Sequence, residues 1–243
     1  PTPPRRAHMT AYLSINGNDF FAALSRVALA AEKGNYGQPE LKNITATVKN
    51  GVLHLWATDR YRVHYDALTV LSEDMAEDKI FQLPTTITSD LKRFLWNKRN
   101  QGGDAVLHFT EHQMTIGSNA GTDLLTLALP TNNLDSLRGI LKLFTRTLET
   151  ANSEEPDLTV NHTSLNHRFI ADIDKAARAH PNHKPAGVCI EVVPNASHHV
   201  LVKMVGERTN FRALIMPIIR AKKNEDVNTV SNEESLELMS SAI

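Results

Sequence analysis

The sequence predicts an α+β fold: repeated βαβββ units, antiparallel sheets outside and helices gathered on one inner face. Three observations predict it. A strand, a helix and three further strands recur along the chain, short turns join those strands, and each helical stretch carries a single apolar stripe. Sequence identity between the repeats is slight, so the repetition is one of pattern.

The first unit starts with a short alternating strand over 12–15. Asn18 or Asp19 is placed to cap a helix in which Phe20, Phe21, Leu24, Val27, Ala28 and Ala31 follow helical spacing, ending near Gly34. Strands over 41–49, 52–57 and 62–71 follow, the first two joined by Asn50-Gly51, a strong hairpin signal. A second unit has a strand over 79–83 and a helix over 86–100 with Ile87, Leu91, Leu95 and Trp96 inward. Its strands cover 105–109, 113–118 and 124–130. A helix over 135–150 sets Leu137, Ile140, Leu141, Phe144 and Leu148 on one stripe, and 152–157 is a polar linker. The third unit has a strand at 158–160, a helix over 164–180, and strands over 187–193, 199–205 and 211–219. The expected organisation is therefore an expression scar at 1–8, a first domain over 9–131, a second and incomplete domain over 132–220, and an acidic tail over 221–243.

Composition narrows the function. The chain has 243 residues, with 26 Lys and Arg against 27 Asp and Glu, so bulk attraction to nucleic acid is not the expected mode. Charge is segregated instead: residues 224–243 hold five acids and no base, whereas 86–99 holds Lys92, Arg93, Lys98 and Arg99 against Asp90 alone. No apolar run approaches the ~20 residues of a membrane span. The lone Cys189 excludes an intrachain disulfide framework and suits a reducing cytoplasm, so no membrane role and a cytoplasmic setting are expected. No glycine-rich phosphate loop is present, and the carboxylate pairs Asp172/Asp174 and Glu233/Glu234 stand outside any catalytic pattern. His162, His167, His180, His183 and Cys189 lack the closed spacing of a zinc site, and Cys189 lacks the setting of a nucleophile. The expectation is a non-enzyme with no catalytic residue, no metal and no cofactor.

Several short pieces point to a family. Pro39-Glu40-Leu41-Lys42-Asn43-Ile44, Gly51-Val52-Leu53-His54-Leu55 and Ala57-Thr58-Asp59 resemble the N-terminal domain of bacterial-type sliding clamps, the β subunits of replicative DNA polymerases. The passage from Leu127-Ala128-Leu129-Pro130 to Leu134-Asp135 is similar to that family's interdomain link. The run from Phe211 to Arg220 resembles its terminal strand, with Met216-Pro217 at the place of a Met-Pro-x-Arg signature lengthened by one residue. Bacterial members have three domains and close as dimers, so a chain two-thirds as long implies a short two-domain form. Three copies would supply the same six domains, and a homo-oligomeric trimer is the favoured ring. The shortness and divergence suit a phage-encoded version acting in an infected host.

The resemblance implies a processivity factor that encircles duplex DNA without reading sequence and tethers a replicative polymerase, loaded where needed by a separate ATP-using clamp loader. Inner helices would present cations to phosphates. The candidates are Arg26, Lys92, Arg93, Lys98, Arg99, the four-residue series Arg138, Lys142, Arg146, and Arg168, Lys175 and Arg178. Arg60 and Arg62, in the bend Thr58-Asp59-Arg60-Tyr61-Arg62, would add two more, with Asp59 holding the turn through its side chain. The blander account of each is a solvated helix face, or, for the bend, an arginine paired to Asp59. Met216, Pro217 and Ile218 would form part of a pocket for short Leu/Phe peptides, where methionine is adaptable. In the acidic tail Leu236, Leu238 and Met239 resemble the ligand of such a pocket. The alternative function is a clamp-like protein that never closes and modulates replication by binding a host clamp or polymerase.

Overall fold

The computed structural model describes residues 11–34, 38–74, 80–95, 104–110, 112–118, 124–130, 165–179, 189–194, 200–205 and 210–216, with single positions at 138, 139, 142, 145, 146 and 149. Two antiparallel sheets organise them. The strands are β1 (Ala11–Asn16), β2 (Asn43–Lys49), β3 (Val52–Thr58), β4 (Arg62–Thr69), β5 (Ser72–Asp74) and β6 (Ile80–Pro84), then β7 (Asp104–Phe109), β8 (Gln113–Ser118), β9 (Leu124–Ala128), β10 (Cys189–Pro194), β11 (Val200–Val205) and β12 (Arg212–Ile215). The helices are α1 (Gly17–Val27), α2 (Ile87–Leu95) and α3 (His167–Arg178).

The five-stranded sheet runs β5-β1-β7-β8-β9 and the seven-stranded one β10-β11-β12-β4-β3-β2-β6. The first two units therefore exchange their leading strands. β1 lies beside β7 of the second unit, and β6 lies beside β2 of the first. That exchange ties the two units into one body, because neither three-stranded meander is completed by its own first strand. Leucines and isoleucines from both sheets and from α1 and α2 share one core, and the Phe81 and Phe109 rings meet across it at 4.3 Å.

Local chemistry explains the element ends. Asn16 rather than Asn18 or Asp19 caps α1, accepting from the N–H groups of both at 3.1 and 3.0 Å. Asn50 and Gly51 turn β2 into β3 with φ of 52° and 72°, the left-handed pair that a two-residue hairpin needs. The expected strand over 41–49 begins only at Asn43, because Pro39–Lys42 forms a short 3-10 turn with proline at its first position. Pro130 and Leu129 fall outside β9, the strand expected over 62–71 ends at Thr69, and β5, beyond it, was not expected. The expected strand at 158–160 and the tail lie outside the described residues.

A second core gathers Ile173, Ala176, Val202, Met204, Phe211 and Ile215 between α3 and the strands β11 and β12. The two bodies meet where β12 pairs with β4, Arg212 opposite Tyr65 and Ile215 opposite Arg62. That pairing makes one continuous sheet from the strands expected of both domains. α1 packs against α2 on one flank and α3 on the other, so the helices form a single layer.

Candidate functional site

The bend between β3 and β4 is built by its own side chains. Asp59 Oδ1 accepts from the N–H groups of Tyr61 and Arg62, both at 3.1 Å, while Thr58 Oγ1 donates to the Arg62 carbonyl at 2.7 Å and accepts from Arg60 N–H at 3.0 Å. Arg60 occupies the left-handed region, φ 77°, where these four bonds hold it. The two arginines of the bend then part. Arg60 is 59% exposed and only 3.9 Å from Glu32, whereas Arg62 is 6% exposed.

Arg62 does not face phosphate, contrary to expectation. Its Nε bonds Asp59 at 3.0 Å, Nη1 bonds Asp172 of α3 at 2.7 Å, and Nη2 donates to the Leu29 carbonyl at 2.8 Å. The guanidinium also lies 4.5 Å from the Phe169 ring centre. All three nitrogens are used, so Arg62 fastens α3 to β4 beneath the strand junction. Burial pushes the Asp172 carboxyl up, but hydrogen bonds from Lys175 and Arg62 outweigh it and leave it below the usual range.

Arg26 is the second correction. It lies on the side of α1 that meets β4, 1% exposed, with Nη2 2.6 Å and Nε 2.7 Å from Asp66 Oδ2. Burial pushes the Asp66 carboxyl up while Arg26 opposes that rise. Between these pairs His64 is fully buried, with Nδ1 2.9 Å from the Arg26 carbonyl, its ring edge-on to Phe211, and its pKa lowered to about 4 chiefly by burial. Arg62, His64 and Asp66 occupy alternate positions of β4, so all three project to one side. The alternation itself is legible in the sequence, but it does not report the partners on α1 and α3 that turn this side inward.

Of the remaining basic candidates, those described are on helices. Lys92 and Arg93 are exposed in the last turn of α2, and Arg168 is exposed in the first turn of α3. Arg138, Lys142 and Arg146 are helical and exposed, one every four residues, as the stripe at those positions predicts. Lys175 is exposed but bonds Asp172 at 2.8 Å, and Arg178 pairs with Asp174 one turn away, so both cations of the last turn of α3 are held by acids of the same helix. Lys98 and Arg99 lie outside the described residues.

An apolar corner sits beside the bend, at the Arg62 end of the junction. The Met216 N–H donates to the Tyr61 carbonyl at 2.8 Å just past the last β12–β4 pair. Both side chains are exposed, Tyr61 at 64% and Met216 at 46%. Pro217, Ile218, Leu236, Leu238 and Met239 lie outside the described residues. Among the described residues no three His, Cys, Asp or Glu side chains gather as metal ligands, and no helix is long and apolar enough to cross a membrane.

No protein-family model matches the sequence, and no curated protein matches it. Solved structures do match the fold. A DNA polymerase III β subunit from Thermotoga maritima superposes with a TM-score of 0.60 at 10% identity, over 88% of this chain and 66% of the other. The β subunit from Borrelia burgdorferi gives 0.59 at 16%, over 91% and 67%, and the Helicobacter pylori β clamp 0.59 at 15%, over 90% and 69%. The chain thus spans about two thirds of the length of the clamps it matches. Strand exchange between units, a helix layer on one side and sheets merged across a junction are features of one architecture, and the chain has the fold of the bacterial sliding clamps.

Proposed function

We propose that the chain is a clamp-type processivity factor, a non-enzyme that wraps duplex DNA along its helix layer and tethers a replicative polymerase. The observation that carries this reading is the coincidence of a clamp fold with exposed cations on successive helices, Lys92 and Arg93 on α2 and Arg138, Lys142 and Arg146 at the helical positions beyond β9. Lysine and arginine on helix faces hold phosphates without reading bases, which is what movement along DNA requires. A near-neutral chain suits this use, because encirclement retains DNA even when attraction is weak. Arg60, exposed beside the layer, adds one contact, and Arg26 and Arg62 add none.

The Tyr61–Met216 corner supports the tether. A methionine and a tyrosine exposed side by side present an adaptable apolar surface with a polar rim, the kind of corner that short Leu- or Phe-bearing peptides of a polymerase or loader would fill. The same corner supports a second reading, a clamp-like protein that stays open and regulates a host clamp or polymerase.

Retention on nicked circular plasmid against the same plasmid linearised separates the two. A closed assembly is expected to stay on circles and run off linear ends at salt that removes surface-bound protein. Lys92→Glu with Arg93→Glu is expected to weaken DNA association and to lower the salt slope by about 0.9 for each phosphate contact removed. Equal loss from circular and linear DNA would reject encirclement and leave the open regulator. An unchanged salt slope would remove α2 from the DNA surface.

A further inference from the structure

Four large apolar side chains stand exposed among the described residues, and two of them adjoin. Ile215 pairs with Arg62, and the next step along the strands sets Met216 opposite Tyr61, where its N–H donates to the Tyr61 carbonyl. Leu71 and Ile170 are exposed singly, Leu71 beside a cavity that Asp19 lines and Ile170 one turn from Asp174. The free charge beside Tyr61 has the other sign. Asp59 is engaged by Arg62, whereas the Arg60 guanidinium is 59% exposed and 3.9 Å from Glu32.

The sequence holds a segment that matches this corner. Residues 224–243 carry five acids and no base, and within that polar run Leu236, Leu238 and Met239 place three apolar side chains in four positions. On an extended backbone Leu236 and Leu238 fall on one side, about 7 Å apart, and Glu237 on the other. Tyr61 and Met216 adjoin across their ladder at about 5.5 Å between Cα atoms, so the two spacings are compatible. Eighteen residues, 217–234, separate Met216 from Ser235. A chain of that length spans up to about 60 Å when extended and about 23 Å as a coil. The segment is therefore tethered within reach of the corner, at an effective concentration of about 1 mM.

We propose that residues 235–239 occupy the Tyr61–Met216 corner of their own chain and hold it against outside peptides. The inference rests on the reading of that corner as a peptide site. Leucines cover the tyrosine ring and the methionine, whose unbranched side chain adapts to them, and Arg60 faces the acids of the segment instead of solvent. A basic segment would be repelled there, and an acidic one would be repelled from the cavity beside Leu71. Tethering makes a weak contact sufficient. At about 1 mM effective concentration, a contact with a Kd of about 0.1 mM fills the corner in about nine chains of ten. An outside peptide then binds about tenfold more weakly than it would to a vacant corner, so a polymerase or loader peptide gains the site only by displacing the segment.

The probe is a fluorescein-labelled peptide of residues 232–240, read by anisotropy against the full chain. Leu236→Ser with Leu238→Ser in the chain is expected to raise its affinity about tenfold, because the corner is vacated, and Tyr61→Ala with Met216→Ala to abolish binding. Equal affinity for the wild type and the serine variant would overturn self-occupancy while upholding the corner as a peptide site. No binding to the serine variant would overturn both. Binding indifferent to Tyr61→Ala and Met216→Ala would place the segment elsewhere and overturn the proposal. A second measurement needs no peptide. In a Cys189→Ser background, Tyr61→Cys with Leu238→Cys is expected to form a disulfide within one chain, at a rate independent of protein concentration. That rate should exceed the rate for Leu71→Cys with Leu238→Cys at least tenfold. A disulfide that forms only between chains, or equally fast in the two pairs, would overturn the proposal.

Discussion

β4 and β9 hold equivalent places, each the last strand of its unit's three-stranded meander, and they have opposite fates. β4 is closed over by β12; β9 has no neighbour beyond β8 among the described residues. The difference lies in the inward positions. β4 places Arg62, His64 and Asp66 there, β9 places Leu125 and Leu127. Three polar side chains on one side of a strand cannot rest on an oily core, and each needs a partner. Arg26, Asp59, Asp172 and the Leu29 and Arg26 carbonyls supply them, and this demand specifies how α1 and α3 sit. An apolar strand such as β9 carries no such specification, so whatever covers it is chosen by backbone pairing.

The largest break in that comparison is expected at Arg26→Ala, which leaves the buried Asp66 carboxyl without its cation. A loss of about 3 to 5 kcal/mol in urea unfolding is expected. Replacing the pair together, Arg26→Met with Asp66→Leu, should recover most of it; equal damage from the double variant would show that the charges themselves are indispensable.

Acid should act on β4 next. His64 has a folded pKa of about 4 against 6.5 when exposed, so the unfolded chain binds more protons between those values. Its effect is absent above pH 6.5, stability falls as pH drops from 6.5 to about 4, and the loss then levels off, at roughly 3 kcal/mol. His64→Leu is expected to flatten that part of the stability–pH curve, and an unchanged slope would move the titration to another group.

The smallest effect is expected on the other edge. Thr126→Lys should alter the stability of the single chain by no more than about 0.5 kcal/mol, because the side chain is exposed and its N–H faces outward. A larger change in dilute solution would mean that β9 is already covered within one chain.

Much of the fold was legible in advance for a physical reason. Strand alternation, helical spacing and the Asn50-Gly51 turn are local, and locality survives into the structure. The stripe Arg138, Lys142, Arg146 was legible on the same ground, since a helix converts a four-residue interval into one face. The bend was half legible: Asp59 does hold the turn, and pairs with Arg62, while Arg60 remains exposed.

By itself, then, the sequence determined most of the described elements, their order and the apolar sides of many of them. Tertiary structure decided the partners. In Arg62-Val63-His64-Tyr65-Asp66-Ala67, simple alternation assigns the charged set to solvent, and the structure turns it inward. Residues 40 and 110 positions away, Arg26 from Asp66 and Asp172 from Arg62, make that face habitable, and no local pattern reports a partner so distant. The exchange of β1 and β6 and the closing of β4 by β12 have the same origin: a strand's sequence states that it must pair, and only the assembled chain states with what.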